Sequence, residues 1–299
     1  MRIAVTGATG FLGRYIVNHL LRQGHACRCW YRPNSDRGGF DEVGGRLQWI
    51  PGELGDPDAT QALVAGAEAV VHAALYRPGA GFRGAEGDLV QFAEKNILGT
   101  LRLIVAARRG GAGRFVFIST CAVHEVILDD RPLDEAHPLW PTSHYGAHKA
   151  AIEKFVHSFG LGEGYGICAL RPTGIYGPAR PIERSKWYDL VQAVKAGRPI
   201  VSDRGGKEVH AADVARAVGI LLTAEGIAGQ AYNCCDMYIS DQQVAAIARR
   251  LCGSRSPIAE GNRGPKHQIV TDKLRKLGMT FGGTALLEET VGQLLAGRS

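Results

Sequence analysis

A phenol and an amine four residues apart mark where this chain could do chemistry. In Tyr145-Gly146-Ala147-His148-Lys149 the spacing puts both polar ends on one face of a helix predicted from Ser143 to about Phe159. A tyrosine with an ordinary pKa of about 10 must fall by roughly 3 units, about 4 kcal/mol, to act as a base at neutral pH. Lys149 supplies one positive charge that favours phenolate over phenol. Such a pair moves a proton to or from an oxygen. Ser119-Thr120-Cys121 closes a strand predicted from Phe115 to Ser119, and parallel sheets present their chemistry at strand C-termini, so Thr120 is placed to hydrogen-bond the same oxygen. Taken singly, Ser119 and Thr120 read as turn residues, and Tyr145 with Lys149 as a surface pair.

A glycine turn makes them harder to dismiss. TGATGFLG, Thr6 to Gly13, follows the first predicted strand and opens the first helix, with Gly7, Gly10 and Gly13 where the backbone turns sharply and approaches a pyrophosphate. Thr9, Phe11 and Leu12 belong to the same turn, whose helix N-terminus offers unpaired N–H groups to a diphosphate. This turn implies a dinucleotide, whose oxidised nicotinamide ring is a second positive charge for Tyr145 and whose ribose is within the repertoire of Lys149. The second strand ends in Tyr31-Arg32-Pro33, and a guanidinium suits a 2′-phosphate, so Arg32, helped by Arg37, puts NADP ahead of NAD. Asp36 nearby keeps NAD open.

These groups need a scaffold, and the hydrophobic pattern supplies one. Strands are predicted at Ile3 to Val5, Ala26 to Tyr31, Leu47 to Ile50, Ala69 to His72, Phe115 to Ser119 and Tyr165 to Leu170, with amphipathic stretches between them and a long helix over Glu86 to Arg108. That alternation predicts an α/β fold with a doubly wound parallel sheet, a Rossmann fold. Residues 172–210, rich in proline and glycine with one helix near Trp187 to Lys195, read as an irregular substrate-facing excursion. Ala211 to Leu222 and Gln230 to Asn233 return to the sheet, and the remainder reads as a short helical cap. The expected division is a dinucleotide-binding domain over 1–171 with 211–233, and a smaller substrate-binding lobe over 172–210 and 234–299.

Composition narrows the class. At 299 residues with 45% hydrophobic content the chain can bury a large core, and 40 glycines suit many tight βα turns. No apolar signal region opens it and no run reaches the roughly 20 apolar residues of a membrane span, so a cytoplasmic protein is expected. Seven cysteines without a CxxC pair read as buried reduced thiols. The net charge of +6 is scattered and forms no basic stripe, which disfavours nucleic acid. His144 and His148 lie one turn apart but lack a third ligand, so no metal is expected.

Along nearly its whole length the chain resembles the extended short-chain dehydrogenase/reductase family, also called the NAD-dependent epimerase/dehydratase family. The resemblance rests on TGATGFLG, VVHAA (Val70 to Ala74), KNILGT (Lys95 to Thr100), IST (Ile118 to Thr120), YGAHK, RPTGIYGP (Arg171 to Pro178), HAADVARA (His210 to Ala217) and AYN (Ala231 to Asn233). It implies catalytic roles for Thr120, Tyr145 and Lys149. It also implies cofactor contacts at the glycine turn, Ala73, Ala74 and the backbone of Pro172, Gly174 and Ile175, with Asn96 in support. Glu53 stands where the family usually has an aspartate facing the adenine, and Leu54 would line that pocket. Relatives commonly dimerise through the two long helices, here Glu86 to Arg108 and Ser143 to Phe159, which implies a homodimer.

Departures narrow the substrate. Where family dehydratases carry an acidic pair after the threonine, this chain has Cys121-Ala122, which cannot eliminate water. Gly206 stands where nucleotide-sugar epimerases place a diphosphate-binding arginine, Gly174 where the family has an asparagine, and only Arg263 remains of the C-terminal arginine loop. The expected activity is reversible hydride transfer between NADP(H) and a small carbonyl or secondary alcohol, sugar-like or polyketide-like. Cys121, His124 and Trp187 are candidate substrate contacts, each also readable as a core or loop residue. The alternative is a sugar or nucleotide-sugar epimerase using transient oxidation by bound NAD(P). A different class, a non-catalytic NAD(P)-sensing or RNA-associated protein, is disfavoured because Tyr145 and Lys149 are present.

Overall fold

In the computed structural model the described residues are 1–41, 44–79, 84, 86–261, 264 and 266–297. Arg263 thus lies outside the described residues. The strands are β1 (Arg2–Thr6), β2 (Ala26–Tyr31), β3 (Leu47–Pro51), β4 (Ala69–His72), β5 (Arg114–Ile118), β6 (Ile167–Pro172), β7 (Gly174–Tyr176), β8 (Gly205–His210), β9 (Gln230–Cys234) and β10 (Met237–Ser240). The chain divides into two compact units, Met1–Pro172 with Val214–Cys234 and Ile269–Met279, and Thr173–Asp213 with Cys235–Gln268 and Thr280–Ser299.

The first unit holds a parallel sheet of seven strands in the order β3-β2-β1-β4-β5-β6-β9. Strands β4 and β6 are buried along their whole length, which is why they read as near-continuous apolar runs. The order reverses beside β1, which pairs with both β2 and β4, and ligands of such sheets bind at that switch point. Helix α1 (Phe11–Arg22) leaves β1 through the glycine turn and buries Ile16, Val17, Leu20 and Leu21. Helix α2 (Pro57–Val64) begins at Asp56, whose carboxylate accepts from the Ala59 N–H. The helix predicted over Glu86 to Arg108 is α3 (Leu89–Ala93), a π turn (Glu94–Leu98) and α4 (Gly99–Arg109) in succession. Helix α5 (His144–His157) likewise runs into a π turn, Ser158–Gly162. Leu63, Leu103, Ile104, Phe115, Phe117, Ile152, Val156 and Ile167 pack one face of the sheet, each burial contributing roughly 1.5–3 kcal/mol.

The second unit is more regular than its sequence suggests. Strands β10, β8 and β7 form a separate three-stranded sheet, with β8 antiparallel to β10 and parallel to β7. The expected irregular excursion over 172–210 therefore contains two of its strands. They escape notice because β7 has three residues and β8 opens Gly-Gly-Lys-Glu, with little of the β-branched content that marks a strand. Tyr176, Val191, Val194, Ile239, Val244, Leu287, Val291 and Leu294 form this unit's own core. Ile269–Met279, read from sequence as part of the cap, belongs to the first unit, where Ile269 bridges to Leu133.

Candidate active site

The glycine turn is built by close approach. Gly7 has φ +71, and a Cβ there would stand 2.7 Å from the Ala73 carbonyl carbon and the Ala74 nitrogen. A Cβ on Gly13 would fall 2.0 Å from the Gly7 carbonyl oxygen. Gly10 differs, since its Cβ would meet only the Gly7 oxygen, at 3.2 Å. Gly10 caps α1 without a side-chain bond, so the first N–H groups of the helix, from Phe11, Leu12 and Gly13, have no intrahelical acceptor. A turn with no side chain at Gly7, Gly10 or Gly13 and with helix N–H groups free of intrahelical acceptors fits a pyrophosphate that must approach backbone closely. Behind the turn, Thr6 Oγ1 bonds His72 Nδ1 at 2.6 Å and receives the Ala74 N–H at 3.1 Å, while His72 Nε2 reaches Thr100 Oγ1 at 2.8 Å. Burial, with the Lys149 charge, lowers His72 to about 3, so it works as a neutral bridge between β1, β4 and α4.

Tyr145 and Lys149 stand on the buried side of α5, whose start is fixed twice. The Ser143 hydroxyl accepts the Gly146 N–H at 3.1 Å, and Glu125 accepts from both the N–H and the hydroxyl of Ser143 and of Thr142. Burial opposes ionisation of Glu125, but these donors hold its carboxyl below the ordinary value. The Tyr145 hydroxyl shares a hydrogen bond with Thr120, which also caps the short turn Cys121–Val123 by accepting the Ala122 N–H. Burial raises the phenol above its ordinary value, and the Thr120 bond and the charge of Arg77 work against that. The expected lowering by Lys149 is therefore not what the protein's own groups produce. Lys149 points its ammonium at the Ile118 carbonyl, 2.7 Å away, and stands 4.6 Å over the Phe117 ring. Burial lowers it from 10.5 to about 7, opposed by Glu153.

The NAD-dependent epimerase/dehydratase family model matches residues 3–235. The chain belongs to this family. It is 31% identical over 243 residues to a 4-hydroxy-2-methyl-3-oxo-4-farnesyl-3,4-dihydroquinoline-1-oxide ketoreductase of Stigmatella aurantiaca, covering 78% of this chain and 67% of that one. It is 28% identical over 304 residues to a 3 beta-hydroxysteroid dehydrogenase/Delta 5-->4-isomerase of Mycobacterium tuberculosis, covering 96% and 79%. In fold it is similar to the Thermus thermophilus UDP-glucose 4-epimerase solved with NAD, with a TM-score of 0.77, 24% identity, and 98% and 99% of the two chains covered. The sheet and the glycine turn are those of a nicotinamide-dependent enzyme of the epimerase/dehydratase family.

The other expected site residues of this family member fall into two groups. Asn96 sits buried in the π turn, where its side chain accepts the Tyr76 N–H and donates to the Tyr76 and Phe92 carbonyls, holding the segment after β4. Leu54 is buried, Glu53 is exposed and paired with Lys95 at 2.9 Å, and Pro172 closes β6. Arg32 is exposed, while Arg37 lies 4.6 Å over the Tyr31 ring. Gly174 and Ile175 belong to the second unit, paired with Glu208 and Val209. The three candidate substrate contacts each have protein partners. The Cys121 thiol donates to the Arg171 carbonyl at 3.0 Å. His124 is buried between the Pro138 carbonyl and Arg171, and burial together with the Arg171 charge lowers it to about 4. Trp187 donates to Asp241 and its ring lies tilted against Tyr176, with centroids 5.3 Å apart, within the second unit.

Three features escaped the sequence. Arg171 and Glu153 form an ion pair only 2% and 1% exposed, with the guanidinium nitrogens 2.6 to 3.0 Å from the carboxylate, and Ser119 donates to the same carboxylate. Glu153 lies one helical turn beyond Lys149, a spacing that could have flagged it, and Arg171 is the penultimate residue of β6. Arg77 and Glu125 arrive from loops, and no periodicity points to them. Among the described residues no cluster of three metal-ligating side chains occurs, and no helix is long and apolar enough to cross a membrane.

Proposed function

We propose that this chain is a reductase that moves hydride between NADP(H) and a small carbonyl or secondary alcohol. The observation that carries this reading is the Tyr145 phenol, held by the Thr120 hydroxyl and raised by burial, beside an amine brought to about 7. A phenol above its ordinary value is a proton donor at neutral pH, which suits the reductive direction. When bound, the nicotinamide supplies the hydride. Tyr145 gives its proton to the carbonyl oxygen, Thr120 holds that oxygen in line, and Lys149 carries a proton within the same buried pocket of charge. Cys121 and Ala122 offer no acid or base for eliminating water, and the ketoreductase relative supports carbonyl chemistry.

The loop after β2 supports NADP. Asp36, the acid that could hold a ribose hydroxyl, is bound to Arg14 at 3.0 Å and accepts the Gly38 N–H at 2.8 Å, while Arg32 stays exposed. The long helices carry exposed Leu89, Val90, Leu98, Phe155 and Leu161, which supports a homodimer through them. Free cysteines throughout support a cytoplasmic setting.

A panel of small ketones and sugars, assayed for NADPH oxidation with Tyr145→Phe alongside, tests the proposal. Loss of about 10²- to 10⁴-fold in turnover with NADPH binding retained is expected. Turnover by the variant at the parent rate would sink the mechanism, and isomer exchange without net NADPH oxidation would make the protein an epimerase.

A further inference from the structure

Within the first unit, the loop that follows β2 is laid along one face of α1. Arg14, Asn18 and Arg22 stand four residues apart on that helix, so their side chains share a face. Each grips the loop in turn. Arg14 donates to the carbonyls of Asp36 and Gly38 at 2.7 and 3.1 Å, the Asn18 amide donates to the Gly39 carbonyl and accepts the Asp41 N–H, and Arg22 pairs with Asp41 at 2.7 Å. Arg14 also reaches the glycine turn: its Nη1 donates to the Thr9 carbonyl at 2.7 Å while its Nη2 stands 3.0 Å from Asp36 Oδ2, so one planar guanidinium spans from turn to carboxylate. The other carboxylate oxygen, Oδ1, accepts the Gly38 N–H at 2.8 Å. Asp36 is the one acidic residue between Arg32 and Phe40. Its side chain is 55% exposed with both oxygens engaged, whereas that of Arg14 is 12% exposed and held at every guanidinium nitrogen. An acid in the loop beyond the second strand is the usual holder of an adenosine ribose 2′-hydroxyl, and its charge opposes a 2′-phosphate.

We propose that Arg14 is a specificity-determining residue: by latching the Asp36 carboxylate against α1 it withholds that acid from a ribose hydroxyl and neutralises it toward a phosphate, which leaves the place to a 2′-phosphorylated dinucleotide. The inference rests on the reading of NADP as the cofactor and adds the residue that enforces it. Without Arg14 the carboxylate keeps only the Gly38 N–H, and its exposure lets it turn to a hydroxyl donor. Its charge, no longer shared with a guanidinium, then repels a 2′-phosphate.

Calorimetric titration of the full chain with NADP and with NAD, in the absence of any substrate, gives the ratio of the two dissociation constants for wild type, Arg14→Met and Arg14→Met combined with Asp36→Asn, beside a thermal melt of each. Arg14→Met is expected to move the ratio about tenfold or more toward NAD, and adding Asp36→Asn should return most of that shift. A change that merely loosened the glycine turn would weaken both dinucleotides alike, so an unmoved ratio overturns the proposal. A double variant that keeps the full shift overturns it as well, because the carboxylate is then not the agent. Should Arg14→Met fail to fold, Asp36→Asn alone decides: a latched carboxylate gives NAD nothing, so NAD affinity stays within about twofold, and a loss of about tenfold would put that acid on the ribose in the intact protein and end the proposal. The cofactor reading fails separately. A wild type that prefers NAD, with the ratio still shifting in Arg14→Met, removes NADP from the proposed function and leaves the latch, whereas a wild type that prefers NADP with an unmoved ratio removes the latch alone.

Discussion

Replacing Lys149 with Met asks whether the buried amine holds its proton as weakly as its surroundings imply. Burial lowers its pKa from 10.5 to about 7 against the pull of Glu153. The folded value lies below the unfolded one, so between these two limits the unfolded chain carries the extra proton, and folding strengthens as pH rises through that window. Below about pH 7 both states are protonated and the full penalty stands, about 5 kcal/mol for a shift of about 3.5 units. Above about pH 10.5 it has vanished. Between about pH 6 and about pH 9 the wild type gains about 3 kcal/mol from this group, a gain unavailable to Lys149→Met. Loss of the bond to the Ile118 carbonyl shifts the variant's stability by a nearly constant amount and leaves the slope alone. Denaturant unfolding of both proteins at the two pH values measures the difference, since histidines common to both largely cancel. If the gap between them stays within about 0.5 kcal/mol across that range, the lysine is not held as described.

Three further outcomes follow from particular contacts. Arg171→Met leaves the Glu153 carboxylate buried without its guanidinium, so unfolding free energy should drop by about 3–5 kcal/mol, and a drop under about 1 kcal/mol would contradict the pairing. Arg32→Ala should raise the KM for NADPH about tenfold while leaving that for NADH nearly unmoved, and equal changes for both would remove the 2′-phosphate role. Light scattering should report a dimer for the wild type and a monomer for Leu98→Glu combined with Leu161→Glu, and a monomeric wild type would remove the dimer.

The legible parts of this molecule are those where one short segment does one job. TGATGFLG carries its turn, its helix start and its close approach within eight residues, so spacing alone finds it. Tyr145 and Lys149 share a helical face by periodicity. What stayed hidden depends on segments distant in sequence. The second sheet joins three strands of three, six and four residues scattered from 174 to 240, too short for their alternation to stand out. The sequence reading lowers Tyr145 through Lys149 together with the oxidised nicotinamide ring; among the protein's own groups burial dominates both Tyr145 and Lys149, and burial is a property of the packed molecule that four residues of spacing do not express. The partners of His124, Cys121 and Trp187 come from Arg171 and Asp241, 47 to 54 residues away in the chain, and a sequence does not show them.

The π turn at Glu94–Leu98 divides one long rod into two phases. A π turn is an α-helix carrying one extra residue, so the apolar stripe before it and the stripe after it differ by about 100° around the axis. Deleting a single residue there would bring the stripes into phase, and Asn96 would then lose either its grip on Tyr76 or its line with Thr100. Length, and not only residue identity, is thus constrained at this bend. A one-residue deletion between Ala93 and Gly99 should harm the protein more than most substitutions within the same five positions.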